Sequence, residues 1–415
     1  MLYDQWREIA RARGSEIALK SLSDGRAWSF AEMLATSDTS ADPGETWLCP
    51  KGNGPEFVFE VLRGWRHGRT ICPLEETDPA PSCALPPTGI AHVKRTSATT
   101  GAARLITFTG EQLAADCRDI VTTMGLRREW PNLAAISLAH SYGFSNLVLP
   151  LLLNGIPLWL ISSPLPQALR DASERMEDFT LAGVPVLWRA WHEAGVISNK
   201  VKLAISAGAP LPLALEQQVL ESVGVKIHNF MGSSECGGIA YDRSDELRTD
   251  AAMVGSAMEN VSLSVSDGML EVRGAAVGTS YWPDARPELE GGVFRTSDMV
   301  EIRDGLLYMR GRASDVIHIA GRKVAPEEIE RALSKHPSVK ECVVFGAPRN
   351  AHENQIVAVV VGDNGAVESM KRNLAEELPA WKTPRQWVFV ESLGANARGK
   401  VSRAQWREKF IGRTM

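Results

Sequence analysis

The sequence predicts an α/β protein, with a large N-terminal domain of parallel and mixed α/β sheets that includes a β-rich part, and a small, mobile α+β domain after it. Up to about residue 255, helix-like segments alternate with strand-like ones, as where PLALEQQVLESVG precedes VKIHNF, and this alternation favours parallel α/β layers. Further along, Asp267–Gly268 and Asp304–Gly305 separate strand-like runs and predict hairpin turns. From about residue 315 the pattern changes again, to helices over 326–335 and near 367–378 and strands over 341–346 and 355–361.

The expected division into domains follows from the length of the chain and from one polar stretch. A chain of 415 residues is too long for one ordinary hydrophobic core, so we expect two or three domains. The stretch MRGRASD over 309–315 is polar and contains glycine, and it predicts a linker. We therefore expect a large domain over 1–312, β-rich from about residue 255, and a small domain over 313–415.

Composition and charge exclude several classes of protein. Apolar residues make up 44% of the chain and charged residues 23%, as in ordinary soluble globular proteins. The net charge of −5 argues against a nucleic-acid surface, which needs a clustered positive field. The most apolar run, over 147–161, contains two prolines and is shorter than the roughly 20 apolar residues of a membrane span, so we expect a buried helix followed by a buried strand. The six cysteines have no CxxC spacing and the N-terminus has no apolar signal segment, which predicts a reduced, cytoplasmic protein.

One segment has the composition of a phosphate-binding loop. Residues 94–106 read KRTSATTGAARLI, with four hydroxyl residues, one glycine and one cation within nine positions: Thr96, Ser97, Thr99, Thr100, Gly101 and Arg104. Hydroxyls and backbone N–H groups can surround phosphate oxygens, a cation screens their charge, and glycine allows close approach of the backbone. Taken alone, a Ser/Thr-rich surface turn is an equally good interpretation. The Walker A pattern GxxxxGK[ST] is absent from the sequence.

This loop resembles the TSGTTGxPK phosphate loop of the adenylate-forming superfamily, which includes acyl- and aryl-CoA ligases, stand-alone adenylation domains and luciferases. Ala98, Ala103 and Arg104 replace a glycine, the proline and the lysine of that pattern. Further motifs of the superfamily follow in its order over roughly residues 5–410. Only 95 residues precede Thr96, fewer than is usual in the family, so the N-terminal part resembles a trimmed version.

Two segments resemble the parts of the family that hold the acid. LAHSYGFSN over 138–146 resembles the PLFHxxG segment, in which His140 is similar to the residue beside the carboxylate, and Tyr142 and Phe144 fall in the acyl pocket. SAGAPLP over 206–212 resembles the SGGAPLP turn, which implies that Ala207 lies at the acyl pocket and that Gly208, Ala209 and Pro210 lie near the adenine.

Two more segments resemble nucleotide-binding motifs. NFMGSSECGG over 229–238 resembles NxYGxTE, and FRTSD over 294–298 resembles Y+TGD. The likeness implies that Glu235 binds Mg²⁺ on the ATP phosphates, a role that suits a hard carboxylate ligand, and that Asp298 accepts hydrogen bonds from the ribose. It further implies a set of residues around the adenine, the phosphates and the acyl pocket: Asn229, Met231, Gly232, Ser234 and Gly237.

The C-terminal segments resemble the family's hinge and its two mobile loops. MRGRASDVIHIAGRKVAPEEIE over 309–330 resembles GRxDDxIKxxGxRIxPxEIE. The likeness implies that Arg312 holds the ribose, that Ser314 is the hinge, and that the loop of Gly321, Arg322 and Lys323 serves the thiol step. ANARGKVSR over 395–403 resembles the last motif, in which Lys400 is similar to the catalytic lysine of adenylation.

The resemblance implies an AMP-forming acid–thiol ligase with ATP and Mg²⁺ as cofactors. Such an enzyme joins a carboxylic acid to AMP, releases pyrophosphate, and passes the acyl group to the thiol of CoA or of a carrier-protein phosphopantetheine. Tyr142, Phe144 and Met231 suggest a compact pocket for an aryl or short acyl group, in which the Tyr142 hydroxyl pairs with a ring substituent.

Two other functions remain open from the sequence. A stand-alone amino-acid adenylation domain usually carries an acidic residue in the segment that corresponds to 140–146, and HSYGFSN has none. A degenerate nucleotide-binding regulator is suggested by Ala98, Met231, Ser297 and Ser314. Glu235, Asp298, Arg312 and Lys400, all present, argue against it.

Overall fold

The computed structural model describes residues 1–44, 47–96, 104–319, 321–349, 354–394 and 401–414. Its main sheet has 14 strands, and along one half of it the strands run parallel. In spatial order the parallel strands are Ile227–Ser233, Val201–Ser206, Phe179–Gly183, Asn132–Ala134, Leu158–Leu160 and Ile17–Ser21, with Ala27–Ser29 antiparallel at the edge. The predicted parallel α/β layers are therefore confirmed.

The β-rich part continues the same sheet in antiparallel sense. Its strands, in spatial order from the parallel half, are Gly237–Tyr241, Met253–Ala257, Leu306–Arg312, Val293–Arg303, Met269–Arg273 and Ser262–Ser266, with Leu289–Glu290 beside Val293–Arg303. Both predicted Asp-Gly turns are confirmed. Asp267, Gly268, Asp304 and Gly305 all have φ between 50° and 76°, which suits a two-residue hairpin turn.

Smaller sheets complete the chain. Ile90–Arg95, Leu105–Thr109 and Ser280–Trp282 form an antiparallel sheet whose first two strands flank the predicted phosphate loop. Ile317–Ile319 pairs with Arg322–Val324, and Val339–Pro348, Asn354–Gly362 and Gln386–Phe389 form the last sheet. The strands predicted over 341–346 and 355–361 are thus present and slightly longer.

Helices pack against the main sheet and against both faces of the last sheet, where Ile329 clusters with Val344 on one face and Phe410 with Phe345 on the other. The longer ones are Leu2–Arg13, Phe30–Asp38, Pro55–Arg66, Gly110–Met124, Leu149–Asn154, Pro166–Arg175, Pro185–Glu193, Leu213–Val223, Pro326–Leu333, Val367–Glu377 and Arg403–Thr414. Leu149–Asn154 precedes the strand Leu158–Leu160, which confirms the buried helix and strand expected over 147–161. In the described part of the chain, no helix is long and apolar enough to cross a membrane.

Hydrophobic packing separates the C-terminal part from the rest. Buried side chains from Ile317 onwards form two clusters, around Ile329 and Phe345, whose described members all lie beyond residue 316. The largest cluster of the remaining chain includes Trp6, Phe57 and Phe144. The boundary expected at residues 312 and 313 stays a prediction.

Candidate active site

A cavity of about 1280 Å³ opens at the carboxyl ends of the parallel strands. Ser137, Ile161, Val184, Ala207 and Glu235 each lie just after one of these strands and line the cavity. Open α/β sheets bind ligands at this edge, because the loops that leave the strands meet there.

Many of the predicted site residues meet in this cavity although they lie far apart in the sequence. Those that line it are Thr96, Arg104, His140, Tyr142, Ala207, Gly208, Gly232, Ser234, Glu235, Gly237, Asp298 and Arg312. The predicted residues Ser97, Thr99, Thr100, Gly101 and Lys400 lie outside the described residues.

One end of the cavity can bind phosphate. The backbone N–H of Thr96 donates to the carbonyl of Arg104 at 2.8 Å, and the N–H of Arg104 donates to Thr96 Oγ1 at 3.0 Å, so the two ends of the predicted loop are held together. The Arg104 guanidinium lies 5.5 Å from the centre of the Tyr281 ring. The Tyr281 hydroxyl donates to Glu235 Oε1 at 3.2 Å, and burial and the Glu235 charge raise the pKa of this phenol, which keeps it a donor.

Glu235 is a carboxylate at this end that could hold a metal, and Glu288, 4.0 Å from Arg104 Nη1, also lines the cavity. Among the described residues, no group of three or more His, Cys, Asp or Glu side chains could hold a metal ion. These residues therefore do not form a metal site in which all ligands come from protein side chains. A single carboxylate suits Mg²⁺ that is bound mainly by nucleotide phosphates and water. The residues present thus fit a magnesium–nucleotide complex.

A buried ion pair supports the segment that carries Glu235. Asp116, on the helix Gly110–Met124, accepts from the N–H of Gly238 at 3.1 Å, and its Oδ2 lies 3.4 Å from Lys94 Nζ. Lys94 is on the strand that leads into the phosphate loop. Gly237 has φ +69°, and a Cβ there would lie 2.0 Å from Asp116 Oδ1, so only glycine fits. The ion pair therefore joins the two segments of the phosphate end.

Asp298 and Arg312 lie on neighbouring strands at another wall of the cavity. They are directly opposite each other in the antiparallel pair Val293–Arg303 and Leu306–Arg312, and Arg312 Nε donates to Asp298 Oδ1 at 2.9 Å. The Asp298 N–H donates to Thr296 Oγ1 at 3.0 Å. A fixed carboxylate beside a guanidinium can bind a pair of hydroxyl groups.

Two aromatic rings narrow the cavity at the predicted acyl-pocket residue Tyr142. We call this part of the cavity the acyl end. Tyr142 and Phe230 both line the cavity, with ring centres 5.8 Å apart. The Tyr142 hydroxyl donates to the Ile205 carbonyl at 3.2 Å, and burial raises its pKa. The O–H of Tyr142 is thus used by the backbone, its oxygen can still accept a hydrogen bond, and its pairing with a substrate substituent stays a prediction.

Two protein-family models match the chain that forms this cavity. A family model described as "AMP-binding enzyme" matches residues 5–282, and one described as "AMP-binding enzyme C-terminal domain" matches residues 328–400. The chain belongs to the AMP-binding enzyme family. The predicted adenylate-forming family is thereby confirmed, and the chain is an acid–thiol ligase.

Named relatives of this AMP-binding enzyme act on different acids. Anthranilate–CoA ligase of Pseudomonas aeruginosa is 26% identical over 80% of this chain and 67% of its own length. Long-chain-fatty-acid–CoA ligase FadD13 of Mycobacterium tuberculosis is also 26% identical, over 76% of this chain and 66% of its own. The solved anthranilate CoA ligase AuaEII in complex with anthranoyl-AMP has a TM-score of 0.86 at 18% identity, with 100% of this chain and 98% of that chain covered, which shows the same fold.

Phe144 does not belong to the acyl pocket of this AMP-binding enzyme, so that prediction is wrong. Its ring is 1% exposed, with its centre 4.3 Å from that of His92 and 6.4 Å from that of Phe57. Side chains two residues apart on a helical turn point in nearly opposite directions. Because Tyr142 points towards the cavity, Phe144 points into the core.

Four predicted nucleotide contacts do not line the cavity: Ala209, Pro210, Asn229 and Met231. The Asn229 amide donates to the Met253 carbonyl at 3.3 Å, and Met231 packs against the main core. On the strand Ile227–Ser233, where side chains alternate between the two faces, Phe230 and Gly232 line the cavity, as does Ser233 at the end of the strand. The roles of these four residues stay predictions.

The sequence did not single out several residues that line the cavity. Phe230 is one, and alternation along the strand was the signal that could have revealed it. Glu75 is another: a carboxylate directly after the strand-like run TICPL. Tyr281 has no local signal, because only the pairing of Ser280–Trp282 with Leu105–Thr109 brings it near Glu235.

The predicted hinge and thiol-step residues lie away from the cavity. Ser314 is in a short 3₁₀ turn, Ala313–Asp315, directly after the strand that ends at Arg312, and its hydroxyl donates to Asp315 at 3.1 Å. Gly321, Arg322 and Lys323 are exposed, and the Arg322 guanidinium lies 5.2 Å from the Trp381 ring centre. Their roles stay predictions.

Proposed function

We propose that this enzyme activates an aromatic or short acyl acid with ATP and transfers the acyl group to CoA. The observation that carries the proposal is that one cavity is lined by Arg104 and Glu235, by the Asp298–Arg312 pair and by His140. This arrangement matches a ligand made of a nucleotide joined to an acid.

In the first step, a carboxylate oxygen of the acid attacks the α-phosphorus of ATP, and the bond to pyrophosphate breaks. Thr96 and Arg104 bind the leaving phosphates, and Lys400 bridges the carboxylate and the α-phosphate. Mg²⁺, when bound at Glu235, neutralises phosphate charge. The main contribution of the protein is to hold the two reactants in line and to stabilise the charge of the transition state.

In the second step, the thiol sulfur attacks the carbonyl carbon, AMP leaves with one oxygen of the original carboxylate, and the thiol proton passes to solvent. Lys400 and an incoming pantetheine arm need the same space. We therefore propose that the small domain turns about Ser314, so that Gly321, Arg322 and Lys323 replace Lys400 at the cavity. Their position on an exposed hairpin supports this exchange.

The choice of an aromatic or short acid rests on the acyl end of the cavity. Tyr142 and Phe230 narrow it, and Ile136, Val184 and Leu187 give it apolar walls. Two rings at this spacing favour contact with a third ring over a long flexible chain. The anthranilate–CoA ligase relative is named for an aromatic acid, whereas FadD13, with the same identity, is named for long-chain fatty acids, so the assignment rests on the cavity itself.

The test is acid-dependent exchange of labelled pyrophosphate into ATP, followed by thioester formation. We expect benzoates to drive exchange better than fatty acids of six to sixteen carbons, and CoA to accept the acyl group in preference to a holo-carrier protein. A clear advantage for acids of twelve or more carbons would contradict the aryl assignment. Exchange with amino acids alone would favour the amino-acid adenylation alternative.

A further inference from the structure

We propose that Cys49 and Cys72 are the site of a reversible disulfide bond, which forms in the folded enzyme when the oxidant is a low-molecular-weight disulfide such as oxidised glutathione. Both cysteines are free thiols in the structure, and the proposed ligase reaction uses neither. Each stands directly before a proline, in TWLCPKG and TICPLEE. A residue before proline is restricted to extended conformations, so both cysteines belong to strand-like segments.

These two segments lie side by side and in parallel. Leu48 pairs with Ile71, and the N–H of Cys72 donates to the Leu48 carbonyl at 2.8 Å. A second pair, three residues further along, has the same offset, so Cys49 lies directly opposite Cys72. Neighbouring strands are roughly 4.7–4.9 Å apart, which falls within the Cα separation of about 4.4–6.8 Å that a disulfide requires.

The two cysteine side chains also point to the same side of the paired segments. A Cβ at Gly64 would lie 2.7 Å from the Leu48 side chain and 2.9 Å from that of Ile71, so both face the helix that carries Gly64. Side chains alternate along an extended segment, so Cys49 and Cys72 point together to the opposite side. There they pack in one small hydrophobic cluster.

The two thiols differ in exposure and acidity, which gives each a separate role. Cys49 is partly exposed, whereas Cys72 is fully buried. A hydrogen bond from the Cys72 thiol lowers the pKa of Cys49, and the Lys51 charge acts in the same direction. The same hydrogen bond, together with burial, raises the pKa of Cys72. Cys49 is therefore the thiol that reacts first, because the thiolate is the nucleophile.

The bond forms by two thiol–disulfide exchanges. The Cys49 thiolate attacks one sulfur of oxidised glutathione, the S–S bond of glutathione breaks, and one glutathione thiolate leaves. Cys72 then loses its proton, its sulfur attacks the Cys49 sulfur of the mixed disulfide, and the second glutathione leaves as a thiolate. The two protons from the protein thiols end on the two glutathione thiols, and two electrons pass from the protein to glutathione.

The bond would cross-link segments that lead to the wall of the active-site cavity. Asn53, four residues after Cys49, lines the cavity, and its Oδ1 accepts the N–H of Leu138 at 2.8 Å. Leu138 belongs to the loop that carries His140. A disulfide that fits the paired segments therefore restrains this wall against opening.

The experiment treats the folded enzyme with oxidised glutathione, blocks the remaining thiols and maps the cysteines by mass spectrometry. Trypsin separates Cys49 from Cys72 but leaves Cys72 and Cys83 on one peptide, 70–94, which a glutamate-specific protease then divides. We expect the peptides of Cys49 and Cys72 to be joined, and dithiothreitol to separate them. A bond between Cys72 and Cys83, or no bond between Cys49 and Cys72, would overturn the proposal.

Three serine variants test the role of each thiol. Cys83→Ser is the matched control and should form the bond as the wild type does. Cys72→Ser should retain glutathione on Cys49, because no second thiol displaces it. Cys49→Ser should leave Cys72 unmodified, because its sulfur is buried. Glutathione on Cys72 in a folded Cys49→Ser variant would overturn the proposal.

Urea unfolding tests whether the bond fits the folded enzyme. A fitting disulfide closes the loop of residues 49–72 and restricts the unfolded chain, so the oxidised wild type should unfold at a higher urea midpoint than the reduced wild type. The midpoint of Cys49→Ser should not change on oxidation. An equal or lower midpoint for the oxidised wild type would show that the bond does not fit the native strands, and would also overturn the proposal.

Discussion

At the scale of single residues, neighbours decide what each ionisable group does. Glu235 and Glu75 line the same cavity. Glu235 accepts from the Tyr281 hydroxyl near the Arg104 cation, whereas Glu75 accepts from Ser137 and faces His140. The first environment suits binding of Mg²⁺ with phosphate, whereas the second places Glu75 against the loop that carries Ser137 and His140.

Glu235→Gln should weaken the use of magnesium–ATP. Removal of the charge weakens the proposed Mg²⁺ ligand, so we expect the magnesium concentration for half-maximal exchange to rise by about tenfold or more. Binding of AMP should change little, because the phosphates that carry the metal are absent. Magnesium titration and AMP binding measure the two effects, with the exposed Glu259→Gln as control. An unchanged titration would refute the metal role.

His92 should make the free energy of unfolding depend on pH. Burial and then the nearby Lys94 charge lower its pKa well below 6.5. Below pH 6.5 the unfolded chain therefore binds a proton that the folded chain does not, and stability falls as pH decreases, by up to about 1.4 kcal/mol per unit. His228, whose pKa burial also lowers, adds an effect of the same sign.

His92→Phe should reduce this slope between pH 6.5 and 5, because phenylalanine cannot bind the proton and can keep the contact with Phe144. Urea unfolding at several pH values measures it. His318→Phe changes an exposed histidine and should leave the slope unchanged. A variant slope equal to that of the wild type would contradict the assignment.

At the scale of secondary-structure elements, the sequence predicts helices and turns that have a characteristic local sequence. It does not predict features that depend on contacts between residues far apart in the chain. The helix Pro326–Leu333 begins with proline and two glutamates, and the Asp-Gly turns carry their own conformational preference. Tyr142 and Phe144 point in opposite directions because they lie on one short helical turn. Gly143 sets the orientation of this turn, since a Cβ there would lie 2.0 Å from the Ser137 carbonyl oxygen. The pairing of Glu75 with His140 depends on contacts between distant segments, which a motif search does not reveal.

Asp116→Asn should destabilise the phosphate end of the enzyme. The side chains of Lys94 and Asp116 are both 2% exposed, so loss of one charge leaves the other buried without its partner. Breaking a buried ion pair in this way typically costs about 3–5 kcal/mol. Urea unfolding measures the loss, and the double variant Lys94→Met with Asp116→Asn should regain a large part of it. A single variant as stable as the wild type would show that the pair is not needed.

At the scale of the whole molecule, one ion pair joins the C-terminal part to the rest of the chain, and a second group of ion pairs lies within the C-terminal part. Arg189 Nη1 on the helix Pro185–Glu193 lies 2.6 Å from Glu341 Oε1 on the last sheet. Arg403, at the start of the last helix, pairs with Asp315 in the predicted hinge turn and with Glu327 and Glu330. The first contact must break if the small domain turns, whereas the second can turn with it.

Two substitutions should separate the two half-reactions in opposite directions. Lys400→Ala should abolish pyrophosphate exchange but leave thioester formation from added acyl-adenylate largely intact.

Ser314→Pro should slow the thiol step and leave exchange nearly unchanged, because proline fixes φ at the hinge. Ser314→Ala is the control for this variant. Loss of both half-reactions in either folded variant would contradict the proposed alternation.

Activation of the acid as an acyl-adenylate is tested most directly by an isotope experiment. The enzyme is given ATP, Mg²⁺, CoA and a benzoate whose two carboxylate oxygens are ¹⁸O, and the products are analysed by mass spectrometry. Because the carboxylate oxygen that attacks the α-phosphorus leaves with AMP, we predict one ¹⁸O atom in each AMP and none in pyrophosphate. Unlabelled AMP, or ADP with labelled phosphate, would contradict the account.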